Sequence, residues 1–259
     1  MPSCLWLLIA GLGKMVTGKF DYLVNVSEAA FQSMVIATIE SFLVPGRAGK
    51  SGRLTRQRET FGLLWGYETT TASKGRCFNV DVAIVDANAE RGHSSVIPSR
   101  GLETINKALP TYWPNLRFLG DFHSHPWTAR EQWPNRPFLS EEDRSSIENN
   151  PSYAKLGLRV ALLLNVQKLA KKGRMMPVFS HDNTLEFRLN DLRMSLAAWV
   201  ACPVRNGSRE EALYVIPRPG RTAHDKWKRE PWHVKYRFLD KKRVWLNAPV
   251  HNFLTPLGD

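Results

Sequence analysis

Leu116-Arg117-Phe118-Leu119-Gly120-Asp121-Phe122-His123-Ser124-His125-Pro126 is the stretch on which the reading of this chain turns. Its first seven residues are dominated by apolar side chains and predict a strand over 116–122. That strand runs straight into His123-Ser124-His125. Side chains at i and i+2 of a strand point to the same face, so the two imidazoles can share one metal ion. Zinc accepts imidazole nitrogen at ~2.0–2.1 Å and carboxylate oxygen at ~2.0–2.2 Å. A catalytic zinc takes three protein ligands and keeps one position open, so a third ligand has to come from elsewhere. Pro126 cannot donate to a ladder and points to a chain that leaves the sheet just after the pair. A histidine pair of this kind also occurs at strand ends with no metal role, and alone it decides nothing.

Downstream, residues 127–139 carry Trp127, Trp133, Pro134, Pro137 and Phe138 and read as a loop. Ser140 opens a helix with Glu141, Glu142 and Asp143 in its first turn. Asp143 is the candidate third ligand. Ser140 and Asp143 also have the form of a capping box, which explains both without a metal, and both roles can hold at once. Upstream, Glu59-Thr60-Phe61-Gly62-Leu63-Leu64-Trp65-Gly66 reads as a buried strand in which Gly62 marks a close backbone approach. Taken alone, Glu59 is a polar residue at a strand start.

Further out, residues 19–26 read as a strand, and Ser27 as the N-cap of a helix with Glu28 in its first turn. Phe31, Met34, Val35, Thr38, Ile39 and Phe42 give that helix one apolar face before Pro45 and Gly46 stop it. Residues 46–58 are basic and glycine-containing and read as a mobile loop. Gly49-Lys50-Ser51 lacks the earlier glycine and the preceding strand of a phosphate-binding loop. A strand is expected over 77–85, a polar loop over 86–100 and a helix over 102–109 closed by Pro110. The apolar run 158–166 is expected to be a central strand. Residues 175–179 and 184–189 are expected as a hairpin across Asp182-Asn183, and 190–201 as a helix. Strands alternate with helices while hairpins are also present, so the class expected is α/β, a mixed β-sheet flanked by helices. The organisation expected is a hydrophobic N-terminal extension at 1–18, a single domain over 19–203 and a basic C-terminal extension over 204–259.

The four parts in this order, Glu59 with its glycine-bearing strand, His123-Ser124-His125-Pro126, Ser140 and Asp143, resemble the JAMM motif of the MPN/JAB metallopeptidases, bacterial-type JAB isopeptidases among them. The resemblance spans roughly residues 19 to 200. It implies MPN/JAB layering, similar to that of cytidine deaminases, and one zinc ion on His123, His125 and Asp143. It implies Glu59 as the general base and Ser140 as a hydrogen-bond donor to the tetrahedral intermediate. It implies hydrolysis of a peptide or isopeptide bond at the C-terminal tail of a ubiquitin-like protein or its conjugate. The chain departs from the pattern between His125 and Ser140, where the intervening segment is longer than the family's. Residues 127–139 therefore loop out and return, either as a flap beside the metal or as a surface insertion.

The chain has 259 residues, 43% apolar and 23% charged, with nine Trp, the composition of a globular protein with a sizeable core. The formal net charge of +12 favours acidic partners. Lys226-Trp227-Lys228-Arg229 and Lys241-Lys242-Arg243-Val244-Trp245 give the C-terminal extension a possible acidic protein partner or nucleic acid, or a solvated basic face. Cys4, Cys77 and Cys202 form no Cys-x-x-Cys pair and fit a reducing, cytoplasmic setting. The apolar run at 5–12 is shorter than the ~20 residues of a membrane-spanning helix and lacks the basic residues that precede a signal peptide's apolar region. It reads as a hydrophobic extension or as sequence ahead of a start at Met15, and no transmembrane segment is expected. The alternatives to a zinc hydrolase are a non-catalytic MPN-type interaction module and a basic nucleic-acid-associated protein.

Overall fold

A computed structural model describes residues 21–48, 53–70, 75–99, 101–149, 157–173, 175–203, 236–239 and 243–249. The 1–18 segment, Gly49-Lys50-Ser51 and Lys226-Trp227-Lys228-Arg229 lie outside the described residues. Strand β1 (Tyr22–Val26) leads into helix α1 (Glu28–Leu43). Ser27 caps α1 as its sequence predicts: its hydroxyl oxygen accepts the Ala30 N–H at 3.2 Å and its O–H donates to the Asp81 carbonyl at 2.9 Å. The described residues of the basic stretch after α1 form two short strands. Strands β2 (Gly46–Ala48) and β3 (Arg53–Thr55) pair antiparallel, and the Gln57 and Arg58 N–H groups bond back to carbonyls of Phe42 and Ser41.

Long strands β4 (Phe61–Thr70) and β5 (Arg76–Val85) follow as an antiparallel pair. The polar stretch after them holds a small hairpin, β6 (Glu90–Arg91) and β7 (Val96–Ile97). Helix α2 (Gly101–Tyr112) runs past Pro110 instead of closing there, and the Trp113 N–H still bonds Leu109 O at 2.9 Å. Strand β8 (Arg117–Trp127), helix α3 (Glu141–Asn149) and strand β9 (Arg159–Lys168) come next. The hairpin β10 (Met175–His181) and β11 (Thr184–Leu189) turns at Asp182-Asn183 as expected.

Two further elements differ from expectation. Residues 190–201 are not helical but contribute most of β12 (Leu192–Pro203). Its Leu, Met and Ala residues favour helix locally, yet β12 is hydrogen-bonded to β11 on one side and β9 on the other and buried on both faces. Such a strand shows no two-residue alternation to read. The stretch expected as a basic extension also feeds the sheet: β13 (Tyr236–Leu239) pairs with β12, and β14 (Val244–Asn247) pairs parallel with β1.

The result is a mixed α/β fold around a ten-stranded sheet, ordered β10-β11-β12-β9-β8-β4-β5-β1-β14 with β13 on β12. The pairs β8/β9, β1/β5 and β1/β14 are parallel and the rest antiparallel. The sheet bends until its two ends meet: the Leu246 N–H of β14 bonds Asp182 O at 2.8 Å, and Trp245 stacks on Phe179 of β10. Helix α1 packs Phe31, Met34 and Val35 on one face, against Phe122, Leu162 and Leu164. On the other face α3 packs Ile147 against Ala161 and Leu163, and α2 sets Ile105 and Leu109 against Phe61, Leu63 and Trp65. Among the described residues no helix is long and apolar enough to cross a membrane.

Candidate metal centre

The expected break after the histidines does not occur, since β8 continues through Pro126 to Trp127 alongside β9. Its pairing with β4, however, ends at Phe61 opposite His123. Pro126 therefore sits where β8 has a neighbour on one side, a place where a missing N–H costs little. Three residues before His123, Gly120 adopts φ +152° at a register shift between β4 and β8. A Cβ there would lie 1.8 Å from the Val160 carbonyl oxygen. The bulge re-aims the strand end that carries both imidazoles. Gly62 fulfils its expected close approach, since a Cβ would meet the Phe122 ring at 2.3 Å.

His123 and His125 stand side by side with ring centroids 4.9 Å apart. Asp143, in the first turn of α3, reaches both: Oδ1 lies 3.2 Å from His123 Nε2 and Oδ2 lies 3.3 Å from His125 Nε2. One ligand atom from each of the three lies within 4.8 Å of the others, so the group can hold a metal ion. The capping box forms as well. Asp143 N–H donates to Ser140 Oγ at 3.0 Å, and Ser140 N–H donates to Asp143 Oδ2 at 2.7 Å. The cap thus fixes the carboxylate that faces the histidines.

Whether the three residues fit a metal is tested by His123 Nε2, which is buried and has only the Asp143 carboxylate, 3.2 Å away, to satisfy it among the described residues. A buried nitrogen depends on such a partner, and a cation between the two would satisfy both. Two imidazoles and one carboxylate form a donor set that suits a first-row divalent ion. Burial alone raises the Asp143 carboxyl, but the two imidazoles outweigh it and hold it well below the usual carboxylate range. Burial works against a charged His123, yet the carboxylates of Asp143, Asp121 and Glu59 outweigh it and leave its pKa above the ordinary value. A positive charge is favoured at this spot, and a metal ion competes with protons for it.

Glu59 lies just ahead of β4 and is buried. The chain is pinned there from three sides. Glu59 N–H donates to Gly92 O at 2.7 Å, and Ser41 of α1 donates its hydroxyl to Glu59 O at 3.0 Å. Ser124, between the two histidines, accepts the Thr60 N–H on its Oγ at 2.9 Å and donates its own N–H to Thr60 O at 3.0 Å. The segment carrying Glu59 is thereby tied to the residue between the imidazoles. Burial pushes the Glu59 carboxyl up to about 8, with His123 pulling it down and Asp143 pushing it further up.

Glu59, His123, His125, Ser140 and Asp143 all line one cavity of about 480 Å³. The sequence points to these five and offers 127–139 as a flap beside the metal, but it gives no sign of the opposite wall and little of the contacts that hold either one. One wall is the turn between β6 and β7, with His93, Ser95 and Val96. Buried Asp86 holds that region by accepting the N–H groups of Asn88 at 3.1 Å and Ser99 at 2.6 Å. The other wall is the 127–139 segment, which contributes Trp127, Glu131 and Phe138. Gln167 donates to the carbonyls of Thr128 and Glu131, both at 2.9 Å. Trp127 Nε1 donates to Asn165 at 2.9 Å, and Arg193 lies 4.6 Å from the centre of the Trp133 ring. The only advance signal for these anchors is a pair of polar residues, Asn165 and Gln167, in an otherwise apolar strand.

No family model matches the chain, and comparison with curated proteins finds no match. Among solved structures, the Trichoplax adhaerens STIL N-terminal domain is similar at 10% identity with a TM-score of 0.31, over 76% of this chain and 48% of that one. The chain thus spans about half the length of that neighbour, and a likeness so slight carries nothing about fold or function.

Proposed function

We propose that this protein is a zinc-dependent hydrolase of the JAMM type, with MPN/JAB layering, that cleaves a peptide or isopeptide bond in the C-terminal tail of a ubiquitin-like protein or its conjugate. The observation that carries the reading is a buried carboxylate, Glu59, sharing one cavity with a His-His-Asp group whose two imidazoles face the Asp143 carboxylate at 3.2 and 3.3 Å. His123, His125 and Asp143 would hold the zinc. Bound there, zinc supplies Lewis acidity toward a carbonyl oxygen and lowers the pKa of a bound water from 15.7 toward ~7.

The chain's own residues do the rest. Glu59 takes the proton of the attacking water and returns it to the leaving amine. Its buried setting suits a group that must hold a proton and release it near neutral pH. Ser140 Oγ accepts from Asp143 N–H, which leaves the hydroxyl hydrogen to donate toward the oxyanion. Asp143 and Glu59 are two carboxylates in one cavity with opposite shifts, and that divergence separates ligand from base. A non-catalytic interaction module leaves the burial of Glu59 beside the triad without a purpose.

The test is a Glu59→Gln variant of the full chain. It is expected to retain zinc while hydrolysis of a ubiquitin-like conjugate falls by ~10² or more. Full activity in that variant would refute the assignment.

A further inference from the structure

Outside the cavity, three buried polar atoms have no hydrogen-bond partner among the described residues: Thr55 Oγ1, Arg58 Nε and Arg91 Nε. Strand β2 brings them together. Thr55 of β3 pairs with Gly46 of β2. The Arg58 guanidinium lies on that glycine, where an added Cβ would fall 2.2 Å from Arg58 Cζ. On its other side β2 packs against β6, which carries Arg91. Each guanidinium is held by one backbone carbonyl, Arg58 by Val44 O at 3.3 Å and Arg91 by Asp86 O at 2.8 Å. Among the described residues neither is in an ion pair. The two charges face each other instead. Burial lowers the Arg91 pKa and the Arg58 charge lowers it further, with Glu40 and Asp86 pulling the other way. Neither carboxylate closes the gap. That of Asp86 accepts the N–H groups of Asn88 and Ser99, and Glu40 is exposed. Between Glu40 and Glu59 the chain holds five basic residues and no acidic one. Like charges with partly buried donors and no counter-charge in contact are costly, and a bound anion relieves that cost.

We infer that Thr55, Arg58 and Arg91 form a binding site for a phosphate group, either the free ion or the phosphate of a nucleotide. Guanidinium forks match phosphate oxygens in pairs, and a phosphate dianion neutralises both arginines at once. Two forks from different strands and a hydroxyl from a third suit a tetrahedral ion. A planar carboxylate has two oxygens, which one fork already fills. The site stands behind one wall of the cavity. Arg58 directly precedes Glu59, and Arg91 directly precedes Gly92, whose carbonyl accepts the Glu59 N–H at 2.7 Å. A phosphate bridging the two arginines therefore braces the segment that carries Glu59. Binding itself does not rest on the hydrolase reading.

Isothermal titration of the full-length chain with inorganic phosphate, adenosine monophosphate and acetate, all at one ionic strength, tests the site. Phosphate is expected to bind about tenfold more tightly than acetate. Arg58→Gln and Arg91→Gln are each expected to weaken phosphate by about tenfold, and Thr55→Val by about threefold, with the circular dichroism spectrum kept. Should an arginine variant fail to fold, Thr55→Val still decides, since it removes one donor and keeps the side-chain shape. Adenosine monophosphate bound more tightly than inorganic phosphate identifies a nucleotide as the ligand, and equal or weaker binding identifies the free ion. His123→Ala is expected to leave phosphate affinity unchanged, so the anion site stands or falls apart from the metal group and from any hydrolysis. Acetate bound as tightly as phosphate, no phosphate binding at millimolar concentration, undiminished binding in the Thr55, Arg58 and Arg91 variants, or its loss in His123→Ala would overturn the inference.

Discussion

The two faces of β9 are equally buried and differently built. Val160, Leu162, Leu164 and Val166 point to one side, all at most 1% exposed, and pack under α1 with Phe122 and Met34. Arg159, Ala161, Leu163, Asn165 and Gln167 point to the other, where His123 pairs in register with Leu163 and His125 with Asn165. Along this second face the contents change from apolar, under α3, to polar, under the 127–139 wall. Burial alone does not distinguish the faces. The kind of group buried does, since an apolar face is satisfied by contact, and a polar one only by partners of fixed geometry. One face therefore stabilises the sheet, and the other holds a loop and two imidazoles in place.

Perturbing the α1 face should give the largest effect. Leu162→Ala is expected to lower unfolding free energy by ~2–5 kcal/mol, measured by urea titration, while metal affinity of the folded protein stays unchanged. A comparable loss of metal affinity would mean the faces are not separable.

The next effect is pH dependence in metal-free protein. Glu59 has a folded pKa of about 8 against an ordinary 4.5. Between those values the folded state binds more protons than the unfolded one. Its contribution is fully present below the lower value and lost as pH rises through the higher. His123, also raised, acts in the same direction, whereas depressed Asp143 loses its contribution only as pH falls below the ordinary carboxylate range. Melting temperature of the wild type is therefore expected to decline from pH 5 to 8 more steeply than that of Glu59→Gln. Parallel curves would remove Glu59 from the buried titrating groups.

The smallest effect in stability belongs to Gln167→Ala, about 1 kcal/mol, because the two carbonyls it serves can turn to water. Its consequence should be local instead. Limited proteolysis near 128–133 is expected to speed up while the core stays resistant, and an unchanged rate would show that Gln167 does not anchor the wall.

Much of this was legible in the sequence. Ser27 announces α1, and the alternation around 77–85 and the apolar run at 158–166 announce β5 and β9. His123, His125 and Asp143 could be picked out because metal chemistry restricts residue type and spacing, and Glu59 only through its place in the pattern that resembles the JAMM motif. What stayed hidden was decided at long range. The Leu and Ala residues of β12 give a helical signal until two neighbouring strands claim them. The strands Tyr236–Leu239 and Val244–Asn247 are too short to stand out from a basic tail, and they form by pairing with residues far away in sequence. The same applies to the walls: nothing local to Gln167 says that it will meet Thr128 and Glu131.

His123, His125 and Asp143 are proposed to bind one divalent metal together. Calorimetric titration of metal-free protein with zinc tests it most directly, run beside His123→Ala and Asp143→Asn. About one zinc per chain is expected in the wild type and loss of that binding in both variants, with folding retained by circular dichroism. Undiminished stoichiometric binding in either variant, or none in the wild type, would contradict it.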